Sequence, residues 1–428
     1  MLRLRRPEPS YSARAGVRSV TVRAAWALRA LYLAIGLWTA AIGPFVAVIL
    51  AGRGFNSSAI GLVTAGAALL VVVVVPVWGH LADILVGRAR AFRIALVLAA
   101  LAALALVLPL PVALVVISLA SFAPFMALFA SLGDALAIEA LSAPERQYGA
   151  LRALTSLSFA IGAIGAGFVY NWAGYGAAAF VALAWTALLF LLVGWVTDRT
   201  HDSAVRRQGL TDGRAVAPGR LGSVGQAFAV QPRLLGILAA FTLGYAGLQA
   251  GVTFVSIRIV ELGGHPSDVA LTFGISALAE IPGLVLAGWL GRRMGLRTLT
   301  AASLIGFGLC IATWAFLPSP DAINATRLAT GLCFGWFTAA RVLLVGRLLP
   351  PHLQATGQSL IQAATLGIGA VLGSAVGGIA YGWLGPTGFF LGAAAAAICG
   401  GLGAALVLSG PVGARDQPDD PGANPRPG

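Results

Sequence analysis

Long apolar runs separated by short polar breaks dominate the chain, and they are long enough to cross a bilayer as helices. A membrane-spanning helix needs about 20 apolar residues. The alternation of a membrane β-barrel is absent, because residues 71–75 and 96–106 are continuous apolar runs. The pattern therefore predicts an all-α membrane protein. Its twelve predicted spans lie near residues 25–50, 58–79, 92–109, 112–137, 149–171, 176–197, 234–257, 268–290, 297–317, 323–346, 356–381 and 386–408.

One long hydrophilic connection divides these spans into two groups of six, and the groups look like copies. The sequence Tyr-Asn-Trp-Ala-Gly at 170–174 recurs as Tyr-Gly-Trp-Leu-Gly at 381–385, about 210 residues later. Chance recurrence is the alternative in a chain rich in Gly and Trp, but a parallel repeat is the simpler explanation. The predicted parts are a basic tail (1–24), a six-helix bundle (25–197), a central loop (198–233), a second six-helix bundle (234–409) and a disordered tail (410–428).

The distribution of charged residues along the chain indicates its topology in the membrane. Apolar residues make up 58% and charged residues 10%, far from a globular composition, and the net charge of +13 is carried by arginine. Arginine clusters precede the first span and fall in alternate connections. The positive-inside rule then places both termini in the cytoplasm, with the spans in the cell inner membrane. Such basic charge indicates contact with anionic lipid and not with nucleic acid.

The sequence contains no motif that is typical of the active site of a soluble enzyme. Cys310, Cys333 and Cys399 lie inside apolar stretches, where they are predicted to be small packing residues. Metal-ligand spacings, nucleophile triads and phosphate-binding glycine loops do not occur in the sequence. We therefore predict a protein that is not an enzyme and that has no cofactor or metal site.

Two opposite charges lie inside apolar runs on either side of a predicted turn near Ala143. Asp134 is in the fourth span and Arg152 in the fifth, at equal separations from that turn. Both side chains should lie roughly 13 Å from it along their helices. An isolated charge inside a membrane costs at least about 2.5 kcal/mol, so such residues are usually paired or functional. We predict that the two form a functional pair, with extension to the membrane interface as the alternative.

A third charge lies near the middle of the eighth span. Glu280 is followed by Pro282, which removes a backbone donor and loosens the helix. A carboxyl group at this depth suits proton uptake and release, so Glu280 is predicted to carry the proton. The alternative is a buried structural acid.

The roles of the other polar residues are predicted only from their positions along the predicted spans. We predict that Tyr32 contacts a substrate, and that Gln249 and Gln362 face the same cavity. Aromatic residues near helix ends are more often interface residues, which is the alternative for Tyr32. Three arginines near span ends are predicted to extend to the membrane interface. They are Arg258, Arg327 and Arg341. For Arg341 the alternative is pairing with a carboxylate or binding of an anionic substrate.

The connection between the second and third spans carries a recognisable pattern. Residues 79–90, GHLADILVGRAR, resemble the loop signature of the major facilitator superfamily, with Gly79, Asp83, Gly87 and Arg88 at its positions. The match has one extra residue before Gly87. The counterpart at 288–295 keeps the glycines and arginines and lacks the acid. The resemblance implies the major facilitator fold, with this loop taking part in conformational change.

A finer resemblance covers nearly all of residues 25–408. The segments GDA at 133–135, YGALR at 148–152 and ATGQSL at 355–360 are similar to the branch that contains lactose permease and the phenylpropionate permeases. That likeness implies a substrate-binding role for Asp134 and Arg152. The His and Glu that serve proton coupling in the tenth helix of lactose permease are missing at 330–335. Proton coupling is therefore assigned to Glu280, with Asp134.

Together these features predict a secondary transporter that moves a small organic solute by alternating access. A sugar, an aromatic acid or a nucleoside is the expected cargo, and a proton the expected symported ion, with sodium as the alternative. Efflux of a drug or metabolite by the same fold is the second hypothesis, and a non-transporting membrane receptor or enzyme the third. The expected partners are the solute, the ion and the lipid bilayer, and a monomer is expected.

Overall fold

The computed structural model describes the backbone of residues 22–108, 110–140, 144–204 and 221–409. It describes the side chains of these residues except 22–25, 83–84, 107, 138–140, 144–150, 196–204 and 221–222. Residues 1–21, 205–220 and 410–428 lie outside the described part, and with them most of the two predicted tails and part of the predicted central loop.

The first half of the chain consists of helices joined by short turns. A 3₁₀ turn at Gly43–Phe45 joins α1 to α2, and a π-helical turn at Ala82–Val86 follows α3. The helices are α1 Val22–Ile42, α2 Val46–Gly52, α3 Ser57–Leu81, α4 Arg88–Val107, α5 Val112–Ala140, α6 Pro144–Ala173 and α7 Ala177–Ala204.

The second half begins with a short helix inside the predicted central loop, so that loop is partly helical. A second π-helical turn, Ala363–Gly369, joins α12 to α13. The helices are α8 Leu221–Val230, α9 Leu234–Glu261, α10 Pro266–Trp314, α11 Pro320–Leu348, α12 Gln354–Gln362 and α13 Ala370–Val407.

Ten helical stretches of the described residues are long and apolar enough to cross a membrane. Two of them, α10 and the stretch from Pro351 to Val407, contain a glycine with non-helical backbone angles, Gly295 (φ 80°, ψ 153°) and Gly385 (φ 66°, ψ 176°). The two arms of each of these stretches correspond to two of the predicted spans, whose number of twelve stays a prediction.

Local sequence explains where several helices begin. Asn56 accepts a hydrogen bond from the backbone N–H of Ala59 at the start of α3, at 2.8 Å. Ser319 caps α11 in the same way, and Pro320 follows at the first helical position. These caps place the start of α11 three residues before the predicted span, because the cap sequence is polar and hydropathy alone does not register it.

The repeat is visible in the backbone of the turns. The glycines with positive φ among the described residues form three pairs, and the members of each pair are about 210 residues apart. Each pair occupies corresponding turns of the two halves. The pairs are Gly54 with Gly263, Gly87 with Gly295, and Gly174 with Gly385.

The recurring Tyr-x-Trp sequence has the same environment in both halves. Tyr170 is 1% exposed and donates a hydrogen bond to the carbonyl oxygen of Ala41 at the end of α1. Tyr381 is 6% exposed and donates to the Glu261 carboxylate at the end of α9, the counterpart of α1. Trp172 and Trp383, two residues on, are 89% and 85% exposed. The acceptors of the two hydroxyl groups differ, but both tyrosines are buried and both tryptophans are exposed. This recurrence favours a structural repeat over chance.

The halves contact each other mainly through two helix pairs, α6 with α10 and α3 with α13, and less extensively through α2 with α9. Glycines let the backbones meet there. A Cβ atom on Gly378 would lie 2.5 Å from the carbonyl oxygen of Ser57. These contacts lie at the end of the molecule that carries Gly54, Gly174, Gly263 and Gly385, which we call the closed end.

One predicted interface residue lies in the core. Arg327 is 2% exposed, donates from Nε to the carbonyl oxygen of Thr272, and lies 5.3 Å from the centre of the Trp314 ring. The prediction that it extends to the membrane interface is wrong. Its position near a span end is compatible with either place, and the aromatic and carbonyl groups of α10 draw it inward.

Candidate functional site

Asp134 is held by an aromatic hydroxyl from another helix. The Tyr32 hydroxyl on α1 donates to Asp134 Oδ1 on α5 at 2.6 Å, and Asp134 is half-buried. Gly133, the preceding residue, lies against the Ile35 side chain, which brings the two helices close. The Tyr32 side chain is only 1% exposed. Its hydroxyl is therefore placed to orient Asp134, and the predicted contact of Tyr32 with a substrate stays a prediction.

Arg152 lies on α6 and is exposed. Gly36 of α1 packs against the carbonyl oxygen of Thr155 and the hydroxyl of Ser158, so α6 is pressed onto α1 on this side. Among the described side chains Arg152 and Asp134 do not form a salt bridge of 4.0 Å or less. In this conformation Tyr32 is the hydrogen-bond partner of Asp134, and α6 packs on α1 and α10. The functional pair of Asp134 and Arg152 stays a prediction.

Glu280 on α10 interacts electrostatically with Arg152, which belongs to the other half of the protein. α6 and α10 run antiparallel, with Gly167 beside Ala270 and Ile164 beside Gly274. Arg152, nearer the start of α6, thereby comes within electrostatic range of Glu280. The charges of these two residues, which the sequence singled out separately, therefore act on each other across the interface between the halves without a salt bridge of 4.0 Å or less.

A second arginine, which belongs to the same half as Glu280, also interacts with it electrostatically. Arg341 on α11 is half-buried, and its charge acts on Glu280 and on the Tyr245 hydroxyl. Its guanidinium donates to Thr365 Oγ1 at 3.3 Å. The prediction that it extends to the membrane interface is therefore wrong, since its polar contacts point to Thr365 and Glu280.

The remaining predicted polar residues surround this group of charges. Gln249 lies one turn after Tyr245 on α9, so both share a helix face, and it donates to Thr253 Oγ1 at 3.2 Å. Gln362 is exposed and lies one turn before Thr365. Thr365 belongs to the π-helical turn at Ala363–Gly369. Such turns are rare and often mark functional sites, and hydropathy does not predict them.

We use the name charged cluster for six residues in two sets, Tyr32 with Asp134, and Arg152, Tyr245 and Arg341 with Glu280. The formal charges of its two acids and two arginines sum to zero. Asp134 and Arg152 come from the first half, and Glu280 and Arg341 from the second. The cluster can offer both hydrogen-bond donors and acceptors to a molecule between the halves.

The predicted conformational loop is only partly described. Gly79 is inside the last turns of α3, and Gly87 (φ 82°, ψ 142°) begins α4 with Arg88 after it. The side chain of Asp83 lies outside the described residues. Gly87 and Gly295 share nearly the same backbone angles, so the loop and its counterpart at 288–295 have the same turn.

A polar contact between the halves lies at the closed end. The Asn171 carboxamide accepts a hydrogen bond from the backbone N–H of Ser267 and donates to the Ser267 hydroxyl, both at 2.9 Å. Asn171 ends α6, and Ser267 belongs to the first turn of α10, whose N–H groups lack helical partners. A side chain from one half thus satisfies the start of a helix in the other.

A groove of about 550 Å³ lies on the second half, apart from the charged cluster. On α11 it is lined by residues 342, 343, 346 and 347, which are on the opposite side of the helix from Arg341. None of the residues of the charged cluster lines this groove.

Known proteins resemble this chain over most of its length. The family model described as "MFS_1 like family" matches residues 25–392. A maltose permease of Geobacillus stearothermophilus is 27% identical over 342 residues, which make up 79% of this chain and 83% of the permease.

Solved structures show the same fold. The nucleoside transporter NupG has a TM-score of 0.72 at 17% identity, covering 91% of this chain and 99% of NupG. A mutant of the peptide transporter POT in complex with alafosfalin has a TM-score of 0.69 at 14% identity, covering 89% of this chain and 93% of POT. At such identities the likeness concerns the fold alone.

Proposed function

Because the chain belongs to the MFS_1-like family, we propose that it is a secondary transporter that carries a small hydroxylated solute, a sugar or a nucleoside, together with a proton. The observation that carries this proposal is the position of Arg152 and Glu280. One charge from each half lies in a shared cluster, where a cargo between the halves would contact both.

The balance of charge favours a neutral cargo over an anion. Two acids offset two arginines in the charged cluster, so an aromatic acid would add an uncompensated charge. Hydroxyl groups, in contrast, both donate to carboxylates and accept from guanidinium groups. The name of one similar protein, a maltose permease, supports cargo of this kind.

Each residue then has a role in transport. Asp134, oriented by Tyr32, and Arg152 bind cargo hydroxyls from the first half, while Gln249 and Gln362 do so from the second. Glu280 takes up the proton, and its neutralisation weakens the attraction of Arg152 across the interface. The halves then rock about the cluster, as the loop at Gly79, Asp83, Gly87 and Arg88 rearranges.

The closed end faces the outside in this proposal. The arginine-rich connections at Arg88 and at Arg292 lie at the opposite end, which the positive-inside rule assigns to the cytoplasm. Contacts such as Asn171 with Ser267 then seal the outer side, and the described conformation is the inward-facing one. The protein acts as a monomer in the inner membrane, with both termini in the cytoplasm.

Uptake into reconstituted vesicles tests the function. Purified protein is tested with radiolabelled maltose, a nucleoside and phenylpropionate, under an imposed pH gradient or an imposed sodium gradient. We expect a pH gradient to drive accumulation of maltose or the nucleoside. Glu280→Gln should abolish accumulation and retain exchange of labelled for unlabelled cargo, since exchange needs no net proton movement.

Variants of the charged cluster provide the comparison. Asp134→Asn and Arg152→Gln should lower kcat/KM at least about tenfold, because each removes a charged hydrogen-bond partner of the cargo. Arg347→Gln, an exposed residue of α11 outside the cluster, is the matched control and should transport normally. Unchanged uptake in Asp134→Asn and Arg152→Gln would remove both residues from the site.

A further inference from the structure

The groove of about 550 Å³ on the second half lies among the ends of three helices. Arg292 lines it from the end of the first arm of α10, Arg347 from the last turn of α11, and Gln354 from the start of α12. The starts of α10 and α11 meet at the closed end, where Gly264 lies beside Pro320. The groove is therefore at the opposite end of the molecule.

The length of α11 indicates the level of the groove in the membrane. Its 29 residues extend over roughly 44 Å, whereas the hydrocarbon core of a bilayer is about 30 Å thick. Charged residues mark both ends of the helix, with Asp321 in the first turn and Arg347 in the last. Both ends therefore extend beyond the hydrocarbon core, and the groove lies at the level of the lipid headgroups.

The two arginines of the groove have no acidic partner. Among the described residues, neither Arg292 nor Arg347 forms a salt bridge of 4.0 Å or less, and no Asp or Glu lines the groove. The two side chains come from different helices and present two positive charges to one space. Such a space suits a phosphate group, because a planar guanidinium group can donate two parallel hydrogen bonds to phosphate oxygens.

The alternative role for Arg347 is to cap the carbonyl end of α11. Two glutamines of α12 already do so. Gln354 Nε2 donates to the carbonyl oxygen of Leu349, and Gln358 Nε2 donates to that of Val342, both at 3.3 Å. Within the described part of the chain Arg347 donates no hydrogen bond, so its guanidinium group is available to a ligand.

The apolar part of the groove favours a lipid over a soluble anion. Val342 and Leu343 line the groove and are 54% and 41% exposed. An acyl chain attached to a phosphate at the arginines can lie along these side chains, whereas inorganic phosphate makes no use of them. Gly346 leaves room beside them, because a Cβ atom there would meet no atom within 4 Å.

We propose that this groove binds an anionic phospholipid. Arg292 and Arg347 contact the phosphate from two helices, and one acyl chain lies along Val342 and Leu343. The lipid joins the ends of α10 and α11 at the headgroup layer, where basic pockets between membrane helices meet anionic headgroups. This inference does not rest on the proposed transport, since no residue of the charged cluster lines the groove.

Native mass spectrometry of the purified protein in detergent tests the proposal. The probes are dioctanoyl phosphatidylglycerol, dioctanoyl phosphatidylcholine and inorganic phosphate, each titrated separately. We expect one phosphatidylglycerol to bind at the lowest concentrations and to raise the melting temperature in a parallel thermal melt. Phosphatidylcholine should bind more weakly, because the groove offers its choline group no carboxylate. Inorganic phosphate should not displace phosphatidylglycerol at the same concentration.

Three variants locate the site. Arg292→Gln and Arg347→Gln each remove one charged donor and should weaken phosphatidylglycerol binding at least about tenfold. Gly346→Leu keeps both charges and fills the groove, so it should weaken binding as well. Arg293→Gln is the matched control. Arg293 adjoins Arg292 but lies over the Trp289 ring, 4.3 Å from its centre, and does not line the groove. This variant should bind as the wild type does.

Four results would overturn the proposal. Unchanged binding in those of the three groove variants that fold would place the lipid elsewhere. An equal loss in Arg293→Gln and Arg292→Gln would mean attraction to basic charge in general. Equal binding of phosphatidylcholine would remove the preference for an anion, and displacement by inorganic phosphate would make free phosphate the ligand.

The proposed transport and the lipid site fail separately. Arg347→Gln should bind phosphatidylglycerol weakly and still take up cargo, because the groove is apart from the charged cluster. A wild type that binds the lipid in the groove and accumulates no solute would count against the transport proposal alone.

Discussion

The charged residues of the spans differ in what holds them, and this decides what each can do. Asp134 has a hydroxyl partner at 2.6 Å, Arg341 has a hydroxyl at 3.3 Å and an aromatic ring, and Arg152 is exposed. Arg327 is buried among carbonyl and aromatic groups of α10, which makes it a structural residue. Residues that face the region between the halves are the ones that a cargo can reach.

The hydrogen bond between Tyr32 and Asp134 gives a prediction at this scale. Tyr32→Phe leaves the ring in place and removes the donor, so Asp134 loses its fixed orientation. We expect kcat/KM for the cargo to fall about tenfold, which corresponds to about 1.4 kcal/mol, with little change in melting temperature. Vesicle uptake and a thermal melt measure the two effects.

Tyr170→Phe is the matched control for this variant. It also removes the hydroxyl of a buried tyrosine in the first half, but that hydroxyl donates to a backbone carbonyl near the closed end. It should lower the melting temperature and leave KM unchanged. Equal kinetic effects in both variants would mean that Tyr32 supports the fold and not the site.

At the scale of helices, small residues determine which elements move together. Gly283 and Gly335 bring α10 and α11 into backbone contact within one half. Gly378 does the same for α3 and α13, which belong to different halves. In the proposed alternating-access cycle, contacts within one half stay closed. Contacts between the halves have to open. The two hydrogen bonds between Asn171 and Ser267 are also contacts between the halves.

Removing that bond pair should shift the population of conformations. In Asn171→Ala the first turn of α10 loses its acceptor from α6, so the closed end should open more often. Spin labels replacing Trp172 and Trp383, in a background without the native cysteines, report the distance between the halves at this end. We expect a larger share of long distances in the variant.

Asn56→Ala is the control at the same end of the molecule. Asn56 also caps a helix, but the helix is its own, because it accepts from Ala59 at the start of α3. This variant should cost about 1 kcal/mol of stability and leave the distance distribution as it was. A distribution that is unaltered by Asn171→Ala would show that the glycine contacts alone hold the end closed.

At the scale of the whole molecule, the turns and the arginines make one consistent pattern. The match to the MFS_1-like family confirms the predicted resemblance to the major facilitator superfamily, and the all-helical fold agrees with it. Gly87 and Gly295 lie in connections that carry arginine clusters, while the other positive-φ glycines lie at the closed end. The proposed orientation in the membrane rests on that asymmetry.

Reporter fusions test the orientation. Alkaline phosphatase, which is active only outside the cytoplasm, should be active when fused after Gly54, Gly174 or Gly263. It should be inactive when fused after Gly87 or Gly295, where a fluorescent protein should be bright instead. The reverse pattern would place the closed end at the cytoplasm and make the described conformation outward-facing.

The sequence by itself determined the class of fold, the positions of the spans and the repeat. Bilayer thickness sets the length of an apolar run, and side-chain hydropathy is a local property, so both can be read along the chain. The same reasoning identified Asp134, Arg152 and Glu280, since a charged side chain inside an apolar run is costly unless it is paired or functional.

Only the tertiary structure decided which of these charges meet. Hydropathy gives the depth of a residue in the membrane, but the direction of its side chain around the helix depends on how neighbouring helices pack. Asp134 turned out to bond Tyr32, Arg152 to approach Glu280, and Arg341 to face the cluster instead of the lipid headgroups. The contacts between glycine backbones that set this packing join residues far apart in the chain, so no local pattern records them.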